Sequence, residues 1–232
     1  IDDEDRENES DVVLPTAHVD SAALQFMMRE ARGLICVSIS EERAARLQLP
    51  RQTSSNASAF QTPFSVSIDA RVVAERGVTA EARALTMRRL IAGDASPEEF
   101  VCPGHVFPLV ASSRGVFGRR GQTEGSYDLA RLCGLPPSGV ICEILNPDGT
   151  MARGDQLREF AARHKLLMTS VAEVAKYRIE HEALVREVAR SHVRTSFGEF
   201  ESFVLADDAT GAEHLALVLS LPALGDQPLV RI

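Results

Sequence analysis

The chain has 232 residues, 44% of them hydrophobic, and 25 Lys and Arg against 33 Asp and Glu give a formal charge of −8; this is enough apolar material for at least one core, in one domain or two. The acidic balance excludes nonspecific binding to nucleic acid or an anionic membrane, since either needs a basic face that releases counterions. Four scattered cysteines make neither a disulfide framework nor a zinc knuckle, and apolar runs such as 106–111 and 215–221 fall far short of a membrane span, so a soluble cytoplasmic protein with a small-molecule or protein partner is expected.

The chain opens at Ile1 without a methionine, directly on the acidic run DDEDRENESD from Asp2 to Asp11, and reads as a fragment of a longer protein. Taken alone, such a run of like charge is a solvated segment. Helical spacing of apolar residues from Ser21 to Arg32 predicts a helix with one buried face, capped by Asp20 or Ser21. LICVSI, from Leu34 to Ile39, predicts a buried strand followed by a capped helix from Ser40 to Leu47. FSVSID (Phe64 to Asp69) alternates as a strand, Thr79 to Ala92 reads as a helix, and Val106 to Ala111 as a strand. Thr123 to Cys133 is predicted helical, and Gly139 to Leu145 (GVICEIL) is a strand with one embedded acid, Glu143. Helices at Gly154 to His164 and Val171 to Glu182 flank a short apolar strand at Leu166 to Thr169. This order predicts one compact α/β (α+β) domain, a mixed sheet with flanking helices, over 1–182. A joining helix is expected within 183–195. After it, the strand-like segments Ser196 to Ala206 and Glu213 to Leu221, separated by the turn DDATG, predict the partial β-rich start of a second domain over 196–232.

Four words in order, DDEDRENESD, FSVSIDA, CPGHVFPL and RRGQTEGSYDLARLCGLPPSGVICEILNPDGTMAR, resemble the 3,4-dihydroxy-2-butanone 4-phosphate synthase family across residues 2–182. Several separated motifs in the right order are far more specific than one short match. The tail, SFGEFESFVLADDATGAEHLALVL then PLVRI, resembles the opening of GTP cyclohydrolase II, which many bacteria fuse behind the synthase. The resemblance implies a lyase that converts ribulose 5-phosphate to dihydroxybutanone phosphate and formate in riboflavin biosynthesis, with Mg²⁺ or Mn²⁺. Such chemistry needs a hard cation on hydroxyl and carbonyl oxygens, plus acids and bases that move protons between carbons.

By position in the matching words, Glu7 resembles the metal-binding glutamate, Asp2 and Asp11 the loop acids that act on substrate hydroxyls, and Arg6 a sugar-phosphate contact. Glu143 resembles the family's acid/base glutamate; its plain alternative is an outward-facing strand residue. Cys36 matches a cysteine near the substrate, and equally fits ordinary packing of a buried thiol. Arg119 and Thr123 match a phosphate-binding pair, several donors for one dianion at a helix start. His105 matches a histidine that reaches the neighbouring subunit's site, which implies a homodimer with shared active sites; alternatively it is satisfied at a strand start.

The sequence also departs from the family. The second metal ligand is a histidine in R-x-G-H-T-E, where this chain has Gln122, able to offer Mg²⁺ a carbonyl oxygen but unable to titrate. The run GVTTG followed by S-A-x-D-R is replaced by RVVAERGVTAEAR, which puts Glu75 and Arg76 at the threonines and Ala82 at the aspartate or, with GVT slid onto Gly77 to Thr79, still lacks the second Thr-Gly; charge is expected in a close-packed loop. Ser10 replaces a glycine, with strain expected if that position needs positive φ. Arg51 and Gln61 replace small or apolar residues. Three functions stay open on these grounds: a working lyase, a paralogue with altered sugar-phosphate chemistry, and a non-catalytic scaffold for dimerisation or regulation.

Overall fold

The computed structural model describes residues 1–2 and 6–219. Local chemistry starts the early helices. Asp20 accepts a hydrogen bond from Ala23 N (2.8 Å) to cap α1, Ser21–Phe26. Ser40 does the same with Arg43 N (3.0 Å) for α2, Glu41–Arg46, and Thr79 with Ala82 N (3.2 Å) for α3, Ala80–Ile91. The helix expected through Arg32 widens after Phe26 into a π-helical turn, Met27–Ala31, and ends on Arg32 at φ 70°.

Five strands make the first sheet: β1 Asp11–Pro15, β2 Cys36–Ile39, β3 Ile68–Ala70, β4 Phe100–Val110 and β5 Gly139–Glu143, in the order β1-β5-β2-β4-β3. Only β2 and β4 run parallel; the other neighbours are antiparallel. Alternation along the strands separates two faces. Val37, Ile39, Val106, Val140 and Cys142 join the main core with Leu24, Met27, Met87 and Leu90 from the α1–π-turn segment and α3. Cys36, Leu109 and Ile141 point to the other face. There α4, Gln122–Leu132, lies close over the sheet, Ser126 Oγ donating to Ser38 Oγ at 3.0 Å. Gly139 permits that approach, because a Cβ there would lie 2.6 Å from Ser126 Cβ. The helices α5, Asp155–His164, and α6, Val171–His181, follow.

Three expectations change. FSVSID contributes only its end to β3; Phe64 and Ser65 make isolated bridges to Leu109 and Arg51. Leu166 to Thr169 forms no strand, because its backbone meets an extended neighbour only at Ile1, which donates to Thr169 O and accepts from Val171 N. It borders instead an apolar cavity of about 680 Å³, lined in part by Val13, Leu129, Phe160 and Val174. The joining helix expected in 183–195 is strand β6, Val185–Thr195, paired along its length with β7, Gly198–Asp207. Val185, Val188, Val193 and Thr195 favour extended backbone, and cross-strand pairs such as Arg190–Glu201 (3.1 Å) support it. β8, Glu213–Val218, completes this second, three-stranded sheet. The chain forms two compact units, Ile1–Arg178 and Ile179–Ile232. No helix among the described residues is long and apolar enough to cross a membrane.

One buried ion pair fixes the approach to α4. Asp128 accepts from Val116 N (2.9 Å) and from Arg178 Nη1 (2.8 Å), and the Arg178 guanidinium stacks over Phe117 at 4.3 Å. Removing the carboxylate takes the acceptor from Val116 N and the anionic partner from Arg178, which keeps Arg114 O at 2.9 Å, so Asp128→Ala is expected to cost about 1–3 kcal/mol. Urea unfolding followed by circular dichroism checks this; a loss below about 1 kcal/mol would place the pair among weak surface contacts.

Candidate functional site

The site begins with a strand register. β1 and β5 set Asp11 directly opposite Glu143, on the face that carries Cys36 and Ile141. Glu143 Oε2 accepts from Leu34 N at 2.8 Å. The chain passes so close to it at Gly33 that a Cβ would lie 2.4 Å from Glu143 O and 2.6 Å from Oε2, so only glycine fits. Burial pushes the Glu143 carboxyl above its ordinary range, with Glu9 and Glu7 adding to the rise against the Leu34 hydrogen bond. Asp11 is pushed up well beyond its usual value, first by burial and then by the charges of Glu143 and Glu7. The buried Cys36 thiol is raised by desolvation and by the same two acids, Glu143 and Asp11. It is therefore a neutral thiol at physiological pH and a wall of the site, not a thiolate nucleophile.

The acidic loop folds back on this pair. Asp2 N donates to Glu9 O (3.0 Å), and Glu7 N to Asp2 Oδ2 (3.3 Å). Arg6 bridges the Asp2 carboxylate and Glu7 Oε1, the latter at 2.8 Å, with its guanidinium 5.2 Å from the Phe60 ring centroid. Asp2 is 3% exposed, and its Oδ1 has no hydrogen-bond partner among the described residues. Glu7 is also pushed up by burial, with Arg6 pulling it down and Asp2 pushing it further. The described part of the charge run, Asp2 and residues 6–11, is thus packed and at least half-buried and not a solvated tail. Its left-handed residue is Asn8 (φ 51°), so Ser10 does not carry the strain expected of it.

The start of α4 closes the third side. Gln122 Nε2 donates to Glu9 O (3.2 Å), which brings the residue in the histidine's place onto the acidic loop. Thr123 beside it is buried. Arg119 donates to Glu124 Oε2 (2.9 Å) and to Phe60 O (3.1 Å), and its charge is felt by Glu7. Glu124 is fully buried and accepts from Ser112 N as well (3.1 Å), so it braces the arginine against the loop before α4.

Asp2, Arg6, Glu7, Asp11, Cys36, Arg119, Gln122, Thr123 and Glu143 therefore share one region. His105 is tied elsewhere: its Nδ1 lies 2.7 Å from Asp69 Oδ2. Glu75 and Arg76, expected inside a close-packed loop, are exposed on a 3₁₀ turn, Arg71–Arg76, while Ala82 is buried beside Ala70 and Val73. Arg51 reaches Pro63 O (3.1 Å), and Gln61 takes φ 51°. Sequence reasoning passed over Glu9, Gly33, Phe60, Asp69 and Glu124. Glu124 and Asp69 stand inside the quoted words RRGQTEG and FSVSIDA; Gly33 and Phe60 act through backbone position and leave no such trace.

The sequence model of the family described as 3,4-dihydroxy-2-butanone 4-phosphate synthase matches residues 1–177. A Neisseria meningitidis serogroup B protein named 3,4-dihydroxy-2-butanone 4-phosphate synthase is 43% identical over 231 residues, covering all of this chain and 64% of its own. The riboflavin biosynthesis protein RibBA of Aquifex aeolicus is 45% identical, covering all of this chain and 58% of its own. The chain thus spans less than two thirds of these relatives' lengths. Among solved structures, RibBX, a two-domain 3,4-dihydroxy-2-butanone 4-phosphate synthase from A. baumannii, superposes with TM-score 0.84 at 40% identity, over 95% of this chain and 65% of that one. A 3,4-dihydroxy-2-butanone 4-phosphate synthase in complex with two magnesium ions gives TM-score 0.74 at 38% identity, over 78% of this chain and 90% of that one. With the family model matched over residues 1–177 and relatives more than 40% identical across the whole chain, the chain belongs to the 3,4-dihydroxy-2-butanone 4-phosphate synthase family.

Proposed function

We propose that the chain is a lyase acting on ribulose 5-phosphate, releasing formate and dihydroxybutanone phosphate for riboflavin biosynthesis. The observation that carries this reading is the facing pair Asp11 and Glu143 with Glu7 beside it, three carboxyls all raised by burial and by neighbouring carboxylates. Carboxyls held above their ordinary range keep protons more readily, as groups that move a proton between adjacent carbons require. Arg119, held by Glu124 and Phe60 O, and Thr123 at the opening of α4 would bind the phosphate. Arg6 and Asp2 would orient the sugar hydroxyls and keep the loop folded over them.

The donor set also fits a hard divalent cation. The acids are incompletely neutralised, Asp2 keeps an orphaned buried oxygen, and every candidate ligand is an oxygen. Glu7 would hold the ion with the carbonyl oxygen of Gln122, whose amide nitrogen is spent on Glu9 O. Mg²⁺ supplies polarisation of the sugar's carbonyl and hydroxyl oxygens; Mn²⁺ satisfies the same oxygen set. A cytoplasmic homodimer is the assembly the family likeness favours. The unit from Ile179 is read as the opening of a GTP cyclohydrolase II-like domain, supported by its tail words and by relatives that extend further. Its PLVRI word lies outside the described residues.

Incubation with ribulose 5-phosphate and Mg²⁺ should release formate, and Glu143→Ala or Asp11→Ala should reduce kcat at least about 100-fold; absence of formate from the unsubstituted protein would sink the lyase reading. Gln122→His should lower the Mg²⁺ concentration for half-maximal activity by about 10-fold or more, because imidazole donates more strongly than an amide. An unchanged Mg²⁺ requirement would remove Gln122 from the ligand set. Because the three acids have raised values in the fold, the metal-free protein holds extra protons. Its stability therefore falls as pH rises from the ordinary carboxylate range through the raised values. Mg²⁺ binds the ionised forms, so saturation about tenfold above Kd should raise Tm by about 3–6 °C at pH 8 and by less at pH 5.5. Calorimetry in buffers of different ionisation enthalpy should show proton release; buffer-independent heat at pH 6–7 would contradict the cluster's role.

A further inference from the structure

Asp69 and His105 form a second polar constellation that the acidic cluster does not use. Asp69 lies in β3 and is only 2% exposed. Both of its oxygens are committed to one residue: Oδ1 accepts from His105 N at 3.0 Å, and Oδ2 lies 2.7 Å from His105 Nδ1. The histidine side chain is 49% exposed, so its other edge opens to solvent. Alternation along β4 sets His105 on the face of Phe107 and Leu109, which is the face of Cys36 and Ile141.

The backbone seals this contact. A Cβ at Gly77 would lie 2.2 Å from Asp69 Oδ2 and 2.6 Å from His105 Nδ1, so the chain after the 3₁₀ turn rests directly on the bond and excludes water from it. A Cβ at Gly104 would lie 2.0 Å from Ile68 C, so the residue before the histidine is likewise pressed onto β3. Two glycines and a clamped backbone thus hold one imidazole in one orientation.

We infer that Asp69 is a positioning residue that fixes the tautomer of His105 and so presents Nε2 as the free acceptor for a hydroxyl of the bound sugar phosphate. An ionised carboxylate only accepts hydrogen bonds, so Nδ1 must carry the hydrogen, and the neutral ring then has a bare Nε2. The same logic orients imidazoles in hydrolase triads and metal sites, where a carboxylate on one ring nitrogen selects the working atom. The role of Nε2 rests on the lyase reading above; the tautomer does not. It also gives the divergent 71–79 segment a function, since that segment keeps the glycine the pair requires while its charged side chains face outward.

Long-range ¹H–¹⁵N correlation spectra of the full chain, labelled on histidine nitrogen and recorded at pH 8, test the tautomer alone. A protonated Nδ1 and bare Nε2 for His105 are expected, assigned by loss of the signals in His105→Gln, and shifted toward the Nε2–H form in Asp69→Asn. Nε2–H in the unsubstituted chain, or unchanged signals in Asp69→Asn, would overturn the inference whatever the activity. Formate release then tests the coupling. Asp69→Asn should lower kcat by about 10- to 100-fold, yet change it by less than about twofold when added to His105→Gln. Multiplying losses would show that Asp69 serves the fold and not the histidine. Gly77→Ala, which crowds the bond without removing either partner, should move the His105 signals in the same direction as Asp69→Asn.

Discussion

Two carboxylates facing each other across a pair of antiparallel strands are a liability that most sheets avoid, because like charges in direct cross-strand register repel. Here the register that buries Val12, Leu14, Val140 and Cys142 on the core side leaves no choice about Asp11 and Glu143. A one-residue slip would separate the acids but would turn Val12 and Leu14 away from the core. The core therefore enforces the repulsion. Burial raises the proton affinity of both acids, with the Glu143 charge adding to it at Asp11.

Much of the surrounding structure manages that charge without cancelling it. Arg6 is spent on Asp2 and Glu7, Arg153 on Glu9 (3.0 Å), and Arg119 on Glu124. None of these pairs involves Asp11 or Glu143; what Glu143 receives is a backbone hydrogen bond from Leu34. These cations are thus spent at the rim, where they shape the loop, and the acids at the centre keep raised proton affinities. Cys142, on the opposite face, registers the same field: burial, then Glu143 and Asp11, push its thiol up to about 12.

The sequence made much of this legible, for identifiable reasons. Helices announced by a capping Asp, Ser or Thr and by 3.6-residue spacing formed within a residue or two of expectation, as at Ser40 and Thr79. The strand expected in GVICEIL formed as β5, because alternating β-formers with paired neighbours on both sides hold it extended. The failures share a cause as well. Leu166–Thr169 has strand composition but only Ile1 as extended neighbour, and 183–195 has a helix-compatible composition but a full-length partner in β7. Strands are made by partners, which local composition does not specify. The same holds for Asp69 and Glu124, acids whose quoted words were visible but whose roles depend on what packs against them.

The two departures from the family pattern carry different physical weight. In the segment after Asp69 the substituted charges point to solvent, Ala82 fills a small apolar niche with Ala70 and Val73, and Gly77 still meets Asp69 and His105. That segment packs its small residues inward and against the Asp69–His105 pair, so its altered letters do not place charge in the site. Gln122 is different, because it stands on the acidic loop itself and exchanges a titrating ring for a neutral amide. A metal site that loses imidazole but keeps carboxylate moves toward harder, more weakly held cations and leans more heavily on its acids for proton transfer. In the proposed lyase the raised carboxyls of Asp11 and Glu143 would carry that burden, so the departure would weigh more on metal affinity than on the capacity to move protons.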